Sequence, residues 1–269
     1  MSRAPFPTPY AGTYYPIYNS GVGQYIPPTT SMPFDAVSAI LVAFAHAYPL
    51  NPSDWNQGAE LTLEQGQPEE PVRLPLLTSV ARSVNPNVTI LISLGWGHHD
   101  WSYISADYTS GVNNFPPSVV ALIRQYGLDG FDIDDESING SSGSITQQNF
   151  NGVIANLRDA LDQASTADGK PYYLTITPAP GTAQVTADNM GNFDLINPQC
   201  YGGSYPQNFT TLGYPATQLS WGIDTRGCNP AYPSPSQYQG LAGIFNWNMS
   251  EDSACNYKYT KQIANDVGY

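Results

Sequence analysis

Basic residues are scarce in this chain: 9 Lys and Arg stand against 22 Asp and Glu, a formal charge of −13. That balance repels phosphate backbones and anionic lipids, so it argues against nucleic acid and membrane surfaces as partners. A neutral polymer such as a polysaccharide is indifferent to it. No apolar run reaches the length of a membrane-spanning helix. The start, Met1-Ser2-Arg3-Ala4-Pro5-Phe6-Pro7, lacks the hydrophobic core of a signal peptide, which leaves a route without one or a mature chain with a new Met. Low charge with abundant Pro, Tyr and Asn points to an extracellular setting.

Histidine is limited to 3 residues. His98-His99-Asp100, with His46 elsewhere, invites a zinc reading, but the spacing suits no single helix face. A solvated or substrate-lining loop is the preferred reading, with no metal or organic cofactor. There is no Gly-x-Ser-x-Gly elbow and no glycine-rich phosphate loop. Three cysteines leave at least one unpaired. Cys200, between Gln199 and Tyr201 in an apparent strand, reads as a buried thiol. Cys228 and Cys255 fall just beyond two consecutive candidate strands, and a disulfide between them is expected if those strands are parallel neighbours.

What the chain does hold is aromatic surface, 19 Tyr and 5 Trp, enough to offer ring faces to sugars even if most are packing residues. Its 269 residues fit one domain, 1–269, close to the size of a (β/α)8 barrel. Eight short apolar segments are found at 11–18, 36–46, 88–95, 128–134, 172–177, 193–201, 219–224 and 241–248. Helical spacing marks 71–84, 116–126 and, most clearly, 146–165, where Phe150, Val153, Ile154, Leu157 and Leu161 share a face. A last helix is expected over 254–267. Alternating strands and helices predict an α/β fold with a parallel sheet, closed as a TIM barrel. The first and sixth helices should be short or replaced by loops, because 19–33 and 202–217 are rich in Pro, Gly and polar residues. The segment 48–70, with Trp55, reads as a loop that either walls a groove or is a surface excursion. Sequons occur at Asn87, Asn139, Asn208 and Asn248.

The chemistry concentrates in Asp129-Gly130-Phe131-Asp132-Ile133-Asp134-Asp135-Glu136, where five of eight residues are acids. Read as a strand, it turns Phe131 and Ile133 to one face and Asp132, Asp134 and Glu136 to the other. Residues two apart stand about 6–7 Å from each other. Like charges so close in a partly dry site hold at least one proton among them, which keeps a carboxylic acid available as a donor. A calcium loop or a solvated turn is the bland alternative. It fits less well, because Phe131 and Ile133 are strand residues rather than polar spacers.

This stretch resembles the Asp-x-x-Asp-x-Asp-x-Glu signature of glycoside hydrolase family 18, which contains chitinases and endo-β-N-acetylglucosaminidases. The resemblance implies a glycosidase acting on β-1,4-linked N-acetylglucosamine, with Glu136 as acid and base, Asp134 orienting the substrate's acetamido group and Asp132 behind it. Ser93-Leu94-Gly95-Trp96 resembles the family's Ser-x-Gly-Gly, with Trp96 replacing the second glycine and Ser93 expected to bond Asp132. Gln199-Cys200-Tyr201 resembles the Gln-x-Tyr element, whose tyrosine holds the acetamido group. Trp247 stands where the family places a tryptophan under the cleaved sugar, and Thr13-Tyr14-Tyr15 faintly resembles its Gly-Tyr-Tyr. The expected catalytic residues are therefore Glu136, Asp134, Asp132 and Tyr201. Trp247, Gln199, Trp96, Ser93, Asp129 and Tyr14 are expected to bind substrate. Chitin is the preferred substrate of a monomeric enzyme. The alternatives are the chitobiose core of N-glycans, favoured by the Asp135-Glu136 pair, and a non-catalytic lectin or inhibitor.

Overall fold

Strand pairing in the computed structural model, which describes residues 3–19, 23–63, 65–95, 98–136, 143–180 and 184–269, follows one rule. Each barrel strand pairs in parallel with its neighbours. The strands are β1 (Tyr10–Pro16), β2 (Ala39–Pro49), β4 (Thr89–Leu94), β5 (Gly130–Asp135), β6 (Tyr173–Pro178), β7 (Leu195–Ile196), β8 (Ser220–Asp224) and β9 (Gly243–Trp247). Their order is β7-β6-β5-β4-β2-β1-β9-β8, and a parallel bridge between Ile196 and Leu219 brings the two ends together. The result is an eight-stranded (β/α)8 barrel.

Parallel strands buried on both faces need near-continuous apolar sequence, and Ala39-Ile40-Leu41-Val42-Ala43-Phe44 supplies it. Alternation then divides the core. Phe131 and Ile133 pack outward with the helix layer, whereas Tyr14, Leu41, Leu91 and Phe245 fill the barrel. Phe6 closes the interior against Tyr10 and Tyr173, with ring centroids 5.6 and 5.0 Å away. Each such buried aromatic contributes about 1.5–3 kcal/mol.

The helices are α1 (Glu70–Val84), α2 (Asp100–Ser110), α3 (Phe115–Tyr126), α4 (Gln147–Asp168), α5 (Pro206–Thr210), α6 (Pro235–Tyr238), α7 (Met249–Ser253) and α8 (Lys258–Val267). In α4 the Thr146 side chain accepts from the Asn149 amide, and Gly169 ends the helix at φ 68°. Phe150, Val153, Ile154, Leu157 and Leu161 form its buried face.

Several expectations change in detail. The segment 48–70 is not simply a loop: β3 (Ala59–Thr62) returns antiparallel along β2. Helix α2 was not visible in the sequence, since its Trp-Ser-Tyr-Ile-Ser-Ala-Asp-Tyr has little helical periodicity. The sixth barrel strand is two residues long, so Gln199 and Tyr201 lie in the turn beyond it, with Cys200–Gly202 as a single 3-10 turn. The last helix, expected over 254–267, is α8 and starts four residues later at Lys258, while α7 precedes the expected range. Among the described residues between β1 and β2 the one helical element is a short 3-10 turn, Phe34–Ala36, and α5 has five residues, as the Pro- and Gly-rich sequence suggested.

Cys228 and Cys255 are joined as expected, with Cα atoms 5.6 Å apart. Cys200 is a buried free thiol whose pKa burial pushes up to about 12. Asn248 is fully buried and its side chain caps α7, so its sequon is closed to glycan; Asn139 lies outside the described residues.

Candidate active site

Strand β5 delivers its acids to the barrel's C-terminal end because alternation turns the even-numbered side chains inward. Asp132 is fully buried there. Its Oδ2 accepts from Tyr14 Oη at 2.7 Å and Ser93 Oγ at 2.6 Å, while Oδ1 accepts from Thr175 Oγ1 at 2.5 Å and Thr177 Oγ1 at 3.3 Å. Burial raises the carboxyl's pKa, and these four hydroxyls pull it back toward the anion.

Asp134, two residues on, accepts a 2.9 Å hydrogen bond from Gln199 Nε2. Burial first, then the charges of Glu136, Asp132 and Asp135, push its pKa well above the usual carboxylate range. Glu136 stands just past the strand, half-buried, and its pKa is also raised by burial, against a hydrogen bond with Gln199. Two neighbouring carboxyls with raised proton affinity hold a proton to higher pH than ordinary carboxyls do, which is the electrostatic direction an acid catalyst needs.

Both groups open into one cleft of about 390 Å³. Trp247 and Phe44 form an aromatic wall, nearly parallel at 19° with centroids 6.1 Å apart. Tyr18, Gln199, Tyr201 and Gly202 continue the lining, and Asp224 with Arg226 completes it from the end of β8. Arg226 grips Asp224 through both carboxylate oxygens, with Nε at 3.0 and 2.8 Å. The cleft thus has proton donors, a flat apolar face and a ring of polar groups, the features that hold a sugar ring.

Of the residues read from sequence, Glu136, Asp134, Tyr201, Gln199 and Trp247 meet in this cleft. Ser93 makes the expected bond to Asp132; it and Tyr14, both grouped with the substrate-binding residues, are buried behind the cleft, where they hold Asp132. Asp129 is a clear correction. It precedes β5 at the opposite, N-terminal end, some five residues and about 17 Å of strand from Asp134, and shares the outward parity of Phe131. Its Oδ2 takes Arg82 Nη2 and the Ile90 amide, each at 2.9 Å, so it fastens the strand's entry. Asp135, also outward, accepts from the Gln184 amide at 2.9 Å. Trp96 lies outside the described residues.

Sequence reading missed Tyr18, Phe44, Asp224 and Arg226. Their only signal was position: Tyr18 and Arg226 follow a barrel strand on the C-terminal side, Asp224 ends one and Phe44 lies midway along β2, toward the end where barrel sites are built.

Comparison with known proteins agrees with this geometry. The family model described as glycosyl hydrolases family 18 matches residues 13–229. Chitinase A1 of Niallia circulans is 33% identical over 118 residues, covering 40% of this chain and 16% of that protein. The chain spans less than half the length of the curated relatives it matches. Among solved structures, a family 18 N-acetylglucosaminidase from Paenibacillus barengoltzii superposes with a TM-score of 0.71 at 15% identity, covering 95% of this chain and 99% of the other. A family 18 chitinase from Cycas revoluta, solved in complex with (GlcNAc)3, gives 0.69 at 17%, covering 96% and 99%. At such identities these two likenesses establish the fold. With the family model spanning most of the barrel and the acid row at its C-terminal mouth, the chain belongs to glycosyl hydrolases family 18.

Proposed function

We propose that the protein hydrolyses β-1,4-linked N-acetylglucosamine in chitin or chitooligosaccharides, with retention and with the substrate's own acetamido group as nucleophile. In family 18 this replaces the second enzyme carboxylate that ordinary retaining glycosidases use. The observation that supports it is the shared cleft, in which Asp134 and Glu136, two carboxyls with raised pKa, face an aromatic wall beside Tyr201.

In this reading a sugar ring lies on Trp247. The acetamido oxygen attacks the anomeric carbon as the glycosidic C–O bond breaks, and Glu136 gives its proton to the leaving oxygen. Asp134 accepts a hydrogen bond from the acetamido N–H and balances the positive oxazolinium that forms. Tyr201 donates to the acetamido carbonyl oxygen. Water then attacks the anomeric carbon, Glu136 takes its proton back, and the ring opens with the configuration retained. Asp132, held by its four hydroxyls, shares a proton with Asp134 from behind it. Action as a monomer in an extracellular setting belongs to the same reading, and the Cys228–Cys255 bridge supports the latter.

The N-glycan alternative rested on the Asp135-Glu136 pair. Because Asp135 turns away from the cleft to the Gln184 amide, that pair gives it no added weight. The deciding experiment incubates wild type and Glu136→Gln with N-acetylchitooligosaccharides and, separately, with a high-mannose glycoprotein, reading products by mass. Oligosaccharide cleavage that falls by a factor of roughly 100 or more in the variant supports the chitinase reading. Glycan release that leaves one N-acetylglucosamine on the protein would replace it. Cleavage of neither substrate by wild type would favour a sugar-binding protein.

A further inference from the structure

The sequence separates His46 from His98 and Asp100 by some fifty positions, and the fold brings them together. His46 lies on the C-terminal half of β2, His98 just after β4, and Asp100 is the first residue of α2. One donor atom from each lies within 4.8 Å of the other two. His99, adjacent in sequence, is exposed and takes no part.

The geometry within the trio is that of a ligand set. His46 Nδ1 stands 3.2 Å from Asp100 Oδ2, close to the edge of a tetrahedron whose arms are about 2.0 Å. Asp100 is fully buried, and its other oxygen accepts the Ala47 amide at 2.5 Å, the kind of backing that aims a ligating carboxylate. The rings of His46 and His98 are 4.7 Å apart. Nε2 of His98 is 3.2 Å from the Tyr48 hydroxyl, while its Nδ1 is buried without a hydrogen-bond partner.

A plain His–Asp hydrogen bond would account for His46 and Asp100. It does not account for a second imidazole whose ring packs beside His46 and which carries a buried, unpartnered nitrogen, a state that costs free energy unless something occupies it. Glu70 adds a second such atom: only 3% exposed and within electrostatic reach of His46, it too has an unpartnered oxygen, Oε2.

We propose that His46, His98 and Asp100 bind one divalent transition-metal ion of the zinc class, with solvent as the fourth ligand. Two imidazoles and a carboxylate are a donor set suited to that class and poorly suited to calcium or magnesium, which take oxygen ligands. Drawing the donors from within 4.8 Å to a tetrahedral edge of about 3.3 Å needs at most some 1.5 Å of side-chain movement. With the ion bound, His46 carries its proton on Nε2 and turns the Nδ1 lone pair to the metal. The ion would tie the end of β2 to the start of α2 beside the cleft, since Phe44 of the cleft wall packs against His46 with centroids 6.5 Å apart. The proposal is independent of the glycosidase reading.

The test strips the full chain with a chelator and titrates it with Zn²⁺ against a chromogenic competitor, alongside thermal melts. The expected result is one equivalent bound, a melting temperature raised by zinc, affinity lower by about 100-fold in His98→Ala and no change in His99→Ala. Asp100 also supports the Ala47 amide, so His46→Gln serves as the second ligand variant, judged only where circular dichroism shows a wild-type fold. Folded wild type that binds no zinc, or folded His98→Ala and His46→Gln that bind it as wild type does, overturns the site.

Discussion

Gly95 and Asp134 pack backbone to backbone: a Cβ at Gly95 would lie 2.6 Å from Asp134 Cβ and 2.8 Å from its carbonyl oxygen. Both atoms belong to the strand or its first carbon and cannot swing aside as a flexible tip would. Gly95→Ala must therefore move β5 at the very residue that opens into the cleft. The expected cost is about 1–3 kcal/mol of stability, in the range of overpacked cores, together with loss of turnover at an intact Glu136. Urea unfolding and oligosaccharide cleavage measure the two; a variant with wild-type values in both would show that the strands part freely here.

Tyr14 supplies one of four hydroxyls to a carboxylate that water never reaches. Tyr14→Phe keeps the ring packed against Trp247 and removes only that donor. Hydrogen bonds to charged groups are worth about 1.5–3 kcal/mol, so the urea midpoint should fall by a corresponding amount. An unchanged midpoint would mean that Asp132 is held adequately by Ser93 and the two threonines.

The raised pKa of Asp134 sets a stability trend with pH. A group that binds its proton more tightly folded than unfolded stabilises the fold below its unfolded value, about 3.9, and that stability is lost as pH rises through the folded pKa. Asn carries no such charge and can still accept from Gln199. Asp134→Asn should therefore gain on wild type progressively as pH increases above about 4. Paired unfolding curves from pH 4 to 8 test this, and a difference independent of pH would contradict the raised pKa.

Glu136 sets the alkaline limb of activity in the same way. Because burial raises its pKa, the protonated donor persists above the ordinary glutamate value near 4.3 and is lost at higher pH. Cleavage rates should fall on the alkaline side of that raised pKa, and Gln199→Ala, which removes the opposing hydrogen bond, should move the limb to higher pH. A limb that stays in place would remove Gln199 from the control of Glu136.

The Cys228–Cys255 bridge closes a segment with a sequence separation of 27, running from the end of β8 past β9 to the turn after α7. Cys255→Ser should lose about 2–4 kcal/mol, most of it by freeing the unfolded chain. The melting temperature would drop by several degrees, with the far-ultraviolet spectrum retained. Thiol titration of the unfolded variant should find two free cysteines, Cys200 and Cys228.

The fold was legible where burial is periodic. Strand β5 and helix α4 carry alternation and helical spacing in their own residues, so no partner is needed to see them. Helix α2 lacks a clear pattern of this kind, and strand β3 alternates over only four residues, too few to stand out from the loop around it. Gln199 and Tyr201 were found through a motif, while the strand assigned to carry them, 193–201, shrinks to the two residues Leu195–Ile196. Asp129 was misplaced for a different reason: it belongs to the motif, yet it precedes β5 and so lies at the end away from the C-terminal mouth where barrel sites form.

The sequence alone determined that Asp132, Asp134 and Glu136 share a side, because parity along a strand is a local property of the backbone. Which acid is enclosed and which is open was decided only by tertiary structure. Parallel register sets Ser93 beside Asp132 on one flank and Thr175 on the other, and β1 brings Tyr14 from across the barrel. Four hydroxyls from three strands thereby enclose one carboxylate, leaving the next two to meet the cleft. The meeting of His46 with Asp100 likewise depends on chain segments some fifty residues apart, a distance in sequence that no local rule of spacing can measure.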